Sequence, residues 1–197
     1  MLFWRFMAQP SVVGQFKFDL KRDRLKPVPR QNFYNRSMSL ERYKWSALTK
    51  QQVGAYVEYF VKMELTMFGF QVYGTEVDDR GVDFIAQYGN GPFLKIQVKS
   101  VRSSGYVFME KSKFSLHEHR ALAFGLLVEG QPPNLFLIPS LEWQTPSPLL
   151  RDRDYGEGLK SSPEWGMNIS KKNMALLDRY SFEKSAEVFI RNAQERH

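Results

Sequence analysis

The chain has 197 residues and a formal net charge of +7 at neutral pH, and 43% of its residues are hydrophobic. This apolar content is sufficient for one folded domain, and the absence of cysteine excludes disulfides, thiolate zinc sites and cysteine nucleophiles. No uninterrupted apolar run reaches about eighteen residues, so no transmembrane helix is predicted and we expect a soluble cytoplasmic protein. Residues 1–50 hold 11 Lys and Arg against 3 Asp and Glu, whereas residues 51–197 hold 17 against 18.

Residues 1–45 are predicted to form a basic and flexible arm, because they lack a sustained helical or strand period and carry a basic run broken by prolines. Such a run suits contact with a phosphate backbone, and a solvated extension is the alternative interpretation. A third interpretation is that translation starts at Met38. The candidate nucleic-acid contacts of the arm are Lys21, Arg22, Arg24, Lys26 and Arg30.

Residues 48–68 are predicted to form an amphipathic helix with Thr49 as its N-cap, because apolar side chains recur at helical spacing. Glu58 lies beside the apolar stripe of this helix. Glu64 lies six residues further on, about 240° around the helix axis, so these two carboxylates cannot serve one site. The segment 70–74, which follows a glycine, is predicted to be the first strand.

Two further strands are predicted around residues 82–85 and 96–99, joined by a turn that contains an Asn-Gly pair. Side chains alternate between the two faces of a strand, so Gln97 and Lys99 share one face. The hairpin brings Asp83, placed within its strand, next to this pair. Asp78 and Asp79 lie in a predicted turn, where aspartate bonds to its own backbone, and Asp83 is therefore preferred as a site residue.

The order of helix glutamate, Gly-Val-Asp83, hairpin and Gln97-Val98-Lys99 resembles the core of the PD-(D/E)XK nuclease superfamily over about residues 51–140. The resemblance implies an α/β fold with a restriction-endonuclease-like core, a mixed central β-sheet flanked by α-helices, in residues 46–145. It also implies phosphodiester hydrolysis in nucleic acid, with DNA as the expected substrate and Mg²⁺ or Mn²⁺ as the cofactor. The implied metal ligands are Asp83, Gln97, Glu58 and the backbone carbonyl of Val98, and Lys99 is implied to position or deprotonate the attacking water.

One departure from the family concerns Gln97, because many members carry Asp or Glu at this position. An amide oxygen is a neutral and weaker ligand for a hard dication than a carboxylate. The alternative function is therefore a catalytically degenerate nuclease-fold module that binds nucleic acid or a protein partner without cutting. A homodimer is compatible with cleavage of both strands, but no sequence feature identifies an interface.

The remaining segments are predicted from composition and apolar runs. Residues 106–108 are predicted to be a short strand, and residues 110–120 a helix or helical turn carrying Lys111 and Lys113 as candidate nucleic-acid contacts. Continuous apolar runs at 121–128 and 135–138 indicate strands covered on both faces. Residues 146–162 are predicted to be a long surface loop, and residues 178–194 a helix starting near Ser181, so that residues 146–197 pack on the core.

Overall fold

The computed structural model describes residues 42–75, 81–156, 158 and 161–195. The candidate arm contacts at Lys21, Arg22, Arg24, Lys26 and Arg30 lie outside the described residues, and so do Asp78 and Asp79. Among the helices that the described ranges contain, none is both long and apolar enough to cross a membrane.

The structure is organised around a mixed five-stranded sheet. Its strands, in chain order, are β1 (Phe70–Gly74), β2 (Phe84–Tyr88), β3 (Leu94–Arg102), β5 (Arg120–Leu127) and β6 (Asn134–Pro139), with β4 (Gly105–Glu110) inserted between β3 and β5. The spatial order is β1-β2-β3-β5-β6, in which only the β3–β5 pair is parallel. A second, antiparallel sheet has the order β4-β8-β7, with β7 at Leu150–Arg153 and β8 at Glu164–Ile169.

Two α-helices, α1 (Lys50–Met67) and α2 (Phe182–Gln194), contribute to the core on one face of the central sheet. The predicted N-cap of α1 is confirmed, because the Thr49 side chain accepts from Gln52 N–H at 3.2 Å while the Gln52 side chain accepts from Thr49 N–H at 2.8 Å. The helix buries Val53, Val57, Val61 and Leu65 against the sheet. At the closest approach Gly125 of β5 is required, since a Cβ there would lie 2.7 Å from Val57 Cγ1.

The opposite face of the central sheet is covered by the second sheet and by short 3₁₀-helices, and no α-helix of the described residues packs there. Leu122, Phe124, Phe136 and Ile138 of the central sheet pack there with residues of β4, β7 and β8 around the buried Trp143. This explains the continuous apolar runs of β5 and β6, which are buried on both sides. The predicted fold class, a restriction-endonuclease-like mixed sheet with flanking α-helices, is confirmed by the element order and the strand pairing.

Three local predictions are wrong. Residues 110–120 form no helix: β4 extends to Glu110, a turn follows, and β5 begins at Arg120. The predicted loop at 146–162 contains β7, which pairs with β8 from Leu150↔Met167 to Arg153↔Glu164. Asp83 lies immediately before β2 rather than within it. The first two errors concern β4 and β7, which both pair with β8, a strand that is distant from β4 in sequence. The third concerns the end of β2, which is set by its pairing with β3.

The predicted boundary at residues 45/46 falls inside a packed segment. Trp45 is 2% exposed in a short 3₁₀-helix, and its Nε1–H donates to the carbonyls of Val128 and Gln131 at 3.0 and 2.9 Å. The core therefore includes residues that the sequence assigned to the arm.

Candidate active site

The candidate site begins where the pairing of β2 with β3 ends. Phe84↔Ile96 is the last pair of that ladder, and Asp83 N–H still donates to Ile96 O at 2.9 Å. The chain then diverges, and the Asp83 side chain takes over the next ladder position: Val98 N–H donates to Asp83 Oδ2 at 2.5 Å. Thr75 Oγ1 donates to Asp83 O at 2.9 Å, which ties the same residue to the end of β1. Asp83 is thereby held at the end of the sheet.

This arrangement also sets the direction of the Val98 carbonyl. The N–H and C=O of one strand residue point towards the same neighbouring strand. Because Val98 N–H points to Asp83, its carbonyl points to the same side, beyond the last β2–β3 pair. A carboxylate oxygen and a backbone carbonyl oxygen are thus directed to one gap at the end of β2.

Gln97 contributes an oxygen without a partner. Its side chain is 8% exposed, and Oε1 has no hydrogen-bond partner among the described residues. Gly81 makes room for this side chain, because a Cβ at that position would lie 3.1 Å from Gln97 Nε2, and its φ of +61° also favours glycine. A buried polar atom without a partner costs stability, so its retention points to a ligand.

Lys99 lies two residues further along β3, on the same face as Gln97. The strand register confirms that Gln97 and Lys99 share one face of β3. They lie opposite Leu122 and Phe124 of β5, whose side chains pack between the central sheet and the second sheet. Both line a cleft of about 630 Å³ whose other wall is formed by residues 106–110. The Lys99 ammonium makes no hydrogen bond or ion pair with any residue that the structure describes. It is therefore available to an anion in the cleft.

Glu58 approaches from the other face of the sheet. Its Oε1 is 2.6 Å from Lys62 Nζ, and Lys62 lies 5.3 Å from the ring centroid of Phe84, the residue after Asp83. Glu58 is thus placed beside the β2 end of the site but already has a cationic partner one helical turn away. Its role as a metal ligand stays a prediction.

The two predicted lysine contacts of residues 110–120 differ in their surroundings. Lys111 Nζ pairs with Asp152 at 2.5 Å and Asp154 at 2.8 Å and lies 4.2 Å from the Trp165 ring centroid. Burial acts to lower the pKa of Lys111, but the hydrogen bonds to Asp152 and Asp154 outweigh it and raise that pKa. Lys113 lines the cleft and lies 3.6 Å from Glu110. Their contacts with nucleic acid stay predictions.

Arg120 is a structural member of the site that the sequence analysis missed. Its buried guanidinium donates to Gly81 O at 2.9 Å and to Lys113 O at 2.5 Å, and it lies over the Phe114 ring. Burial lowers the pKa of Arg120. The signal available in the sequence is a single arginine directly before a long apolar run.

Tyr106 of the cleft wall is also held firmly. Its hydroxyl donates to the buried Glu164 at 2.7 Å, and its ring lies so close to Gly166 that a Cβ there would be 1.7 Å from the hydroxyl oxygen. Burial and the bond to Glu164 raise the pKa of Tyr106 above its ordinary value. Tyr106 is therefore tied to β8, and the sequence gives no local signal for this contact because Tyr106 and Glu164 are 58 positions apart.

The donor set fits a hard dication. Asp83, Val98 and Gln97 offer carboxylate, carbonyl and amide oxygens, which are the ligands that Mg²⁺ and Mn²⁺ prefer. The unpartnered Gln97 Oε1 is the observation that favours this fit. The described residues contain no cluster of three or more His, Asp or Glu that could hold a metal, so backbone, amide or substrate oxygens would have to complete the coordination.

The chain matches no protein-family model and no curated protein. Among solved structures it is similar to a Holliday junction resolvase from the archaeal hyperthermophile Archaeoglobus fulgidus, at 14% identity and a TM-score of 0.40, over 66% of this chain and 97% of that one. It is also similar to a bacterial homing endonuclease at 14% identity and a TM-score of 0.46, over 75% of this chain and 96% of that one. Similarities of this size concern the fold and not the activity.

Proposed function

We propose that the protein is a metal-dependent nuclease that hydrolyses phosphodiester bonds in nucleic acid, with DNA as its substrate. The observation that carries the proposal is that one cleft contains both an oxygen without a hydrogen-bond donor and an ammonium without a counter-charge. The Gln97 oxygen is buried without a partner, and the Lys99 ammonium, two residues along the same strand, has no counter-charge among the described residues. An oxygen that can accept a cation and an ammonium that can accept an anion, side by side on one strand, suit a site that binds a metal ion and a phosphate.

The chain's own groups have distinct tasks in this reaction. Asp83 and the Val98 carbonyl, with Gln97 Oε1, would hold Mg²⁺ or Mn²⁺, and Glu58 would join them through water once it leaves Lys62. A bound dication would neutralise charge on the phosphate and make water a better nucleophile. Lys99 would hold the attacking water and donate to a phosphate oxygen. As the water oxygen bonds to phosphorus, the water releases one proton to solvent, the bond to the leaving sugar oxygen breaks, and that oxygen takes up one proton from solvent.

The test compares two lysines of β3. Supercoiled plasmid and single-stranded DNA are incubated with wild type, Lys99→Met or Lys95→Met in MgCl₂, MnCl₂ or EDTA. Lys95 is exposed, lies on the same face of the strand and does not line the cleft, so it is a matched control. We expect Lys99→Met to cut at least about 100-fold more slowly, as for loss of a group that handles a proton or water in the reaction. Lys95→Met should cut like wild type.

Equal cutting by Lys99→Met and wild type would refute the assignment of the site. Mn²⁺ binding, followed by electron paramagnetic resonance, gives a readout besides activity. Lys99→Met should keep it, whereas Asp83→Ala should lose it while remaining folded, with a lower melting temperature because Val98 N–H loses its acceptor. An unaffected Mn²⁺ affinity in Asp83→Ala would contradict the proposed ligand set.

A second candidate function is a nuclease-fold module that binds nucleic acid without cutting it. Two observations favour it: position 97 carries a neutral amide, and Glu58 is paired with Lys62 at 2.6 Å. Of the residues that the structure describes, Asp83 alone then supplies a negative ligand close to the gap. Salt-sensitive DNA binding by a wild type that cuts under none of these conditions, with no effect of Lys99→Met on binding, would favour this function over the nuclease.

A further inference from the structure

The cleft beside Lys99 continues past the candidate active site. A second cavity of about 400 Å³ shares Lys50, Tyr106 and Val107 with the first and extends to Arg102 at the end of β3. The two cavities together form one groove between the carboxyl half of β3 and β4. Nothing in the proposed hydrolysis requires this extension.

Three cations line this groove without a carboxylate partner. Lys50 and Lys99 make no hydrogen bond or ion pair with described residues, and Arg102 donates only to the carbonyl of Leu48 at 2.5 Å. Among the described residues, Glu110 is the one carboxylate of the lining, and it already lies 3.6 Å from Lys113. This concentration of unpaired positive charge stands out because residues 51–197 as a whole hold 17 basic and 18 acidic residues.

Lys50 is in a position that helix stability does not favour. It is the first residue of α1, where the helix dipole favours acidic side chains, and α1 has none in its first turn. The exposed Lys50 therefore adds positive charge to an already positive helix end. An anionic ligand in the groove would account for this choice, and the buried, unpartnered Gln97 oxygen in the same groove independently points to a ligand.

The opposite wall also suits a phosphate backbone. β4 is an edge strand of the second sheet, since within the described chain it pairs only with β8, and residues 106–110 line the groove consecutively. An edge strand presents unpaired backbone N–H groups, and such groups are common phosphate contacts. Phe108 is 49% exposed on the same wall and offers a ring on which a base can stack.

We propose that this groove holds the phosphate backbone of one nucleic-acid strand, with Lys50 and Arg102 as phosphate contacts beyond the scissile position at Lys99. The inference deepens the proposed function and rests on it for the role of Lys99 alone. The β3 wall from Gln97 to Arg102 is about 17 Å long at about 3.3 Å per residue.

The test is a salt titration of binding to a fluorescent DNA duplex, without divalent metal, so that no cutting occurs. Wild type is compared with Lys50→Gln and with Lys184→Gln, an exposed lysine in the first turn of α2 and outside the groove. Lys50→Gln should bind about fivefold to tenfold more weakly near 0.1 M salt, as for loss of one phosphate contact. The slope of log K against log salt should become shallower by about 1. Lys184→Gln should match wild type on both counts.

The outcomes separate this inference from the nuclease proposal. An unchanged slope in Lys50→Gln, with wild type binding and cutting DNA, overturns the groove and leaves the nuclease. A shallower slope with a wild type that never cuts supports the groove and removes the nuclease. Loss of cutting at saturating DNA in Lys50→Gln, with an unchanged slope, would assign Lys50 to the chemistry and overturn its role as a phosphate contact. A wild type that binds no nucleic acid overturns both.

Discussion

Replacing Gln97 by Met should make the metal-free protein more stable and its metal response weaker. Met has nearly the same length as Gln but no amide. In the folded protein Gln97 Oε1 is buried and unpartnered among the described residues. An unsatisfied buried polar group costs about 1–3 kcal/mol, and we take the lower end because the side chain lines an open cleft. A gain of about 1 kcal/mol in the free energy of unfolding corresponds to about 2–4 °C in Tm for a chain of this length.

The second half of the prediction concerns metal. A ligand that binds only the folded state at one hundred times its Kd adds about 2.7 kcal/mol of stability. Wild type should therefore melt at a higher temperature in saturating Mg²⁺ than in EDTA. Gln97→Met has lost one oxygen ligand and should show a smaller rise. Gln97→Met should therefore have the higher Tm in EDTA. Wild type should have the higher Tm in Mg²⁺ if the rise that metal gives it exceeds the gain from the Met.

Differential scanning calorimetry in EDTA and in MgCl₂ measures both effects. Gln87 is a matched control, because it is another strand glutamine but its Nε2 donates to Gly91 O at 2.9 Å. Gln87→Met should lower Tm in both buffers and leave the metal response intact. A lower Tm for Gln97→Met in EDTA, or a metal response equal to that of wild type, would refute the reasoning about the unpartnered oxygen.

Two further predictions concern the supports of the site. Arg120→Met removes charge-assisted hydrogen bonds to the carbonyls of Gly81 and Lys113, which are each worth about 1.5–3 kcal/mol; urea unfolding should show a loss of about 3 kcal/mol, and a loss below about 1 kcal/mol would contradict it. The pKa values of Tyr106 and Tyr180 are raised in the folded state by burial and by carboxylate partners, so the folded protein holds these protons more tightly than the unfolded chain. Their contribution is complete below the ordinary tyrosine pKa of about 10 and is lost as pH rises above it, so unfolding free energies measured from pH 8 to 11 should fall less steeply in either Tyr→Phe variant.

Local signals were sufficient for α1 and β3, which carry Glu58, Gln97 and Lys99. The N-cap at Thr49 and the apolar spacing of Val53, Val57, Val61 and Leu65 fix α1 within a single stretch of chain. The strand alternation that assigned Gln97 and Lys99 to one face needs only the hydrophobic residues between them. These features depend on neighbours a few positions away, so they can be inferred without knowing the tertiary structure.

The errors occur where pairing is non-local. The residues around Glu110 are as polar as a surface helix, yet β4 is fixed by β8, more than fifty positions later. β7 has only one buried residue, Leu150, and its strand conformation comes from pairing with β8. Propensity is a weak guide for such strands, because cross-strand packing decides their stability. The short strand predicted at 106–108 is present as part of β4, but its pairing with β8, which makes it a wall of the groove, was beyond sequence reasoning.

The same division separates the supports of the candidate site. Asp83 and Val98 are joined by a hydrogen bond within one hairpin, but Gly81 is held by Arg120 of β5. The two lysines of the groove have no comparable support among the described residues, since Lys50 is exposed and Lys99 has no partner there. The Asp83 and Val98 oxygens are thus fixed by the fold, whereas the ammonium groups of Lys50 and Lys99 can adjust to a ligand. Gln97 and Lys50 share no hydrogen bond among the described contacts. The double variant Gln97→Met/Lys50→Gln should therefore show the loss of metal affinity of the first substitution and the loss of strand affinity of the second, each with the size that it has in the single variant.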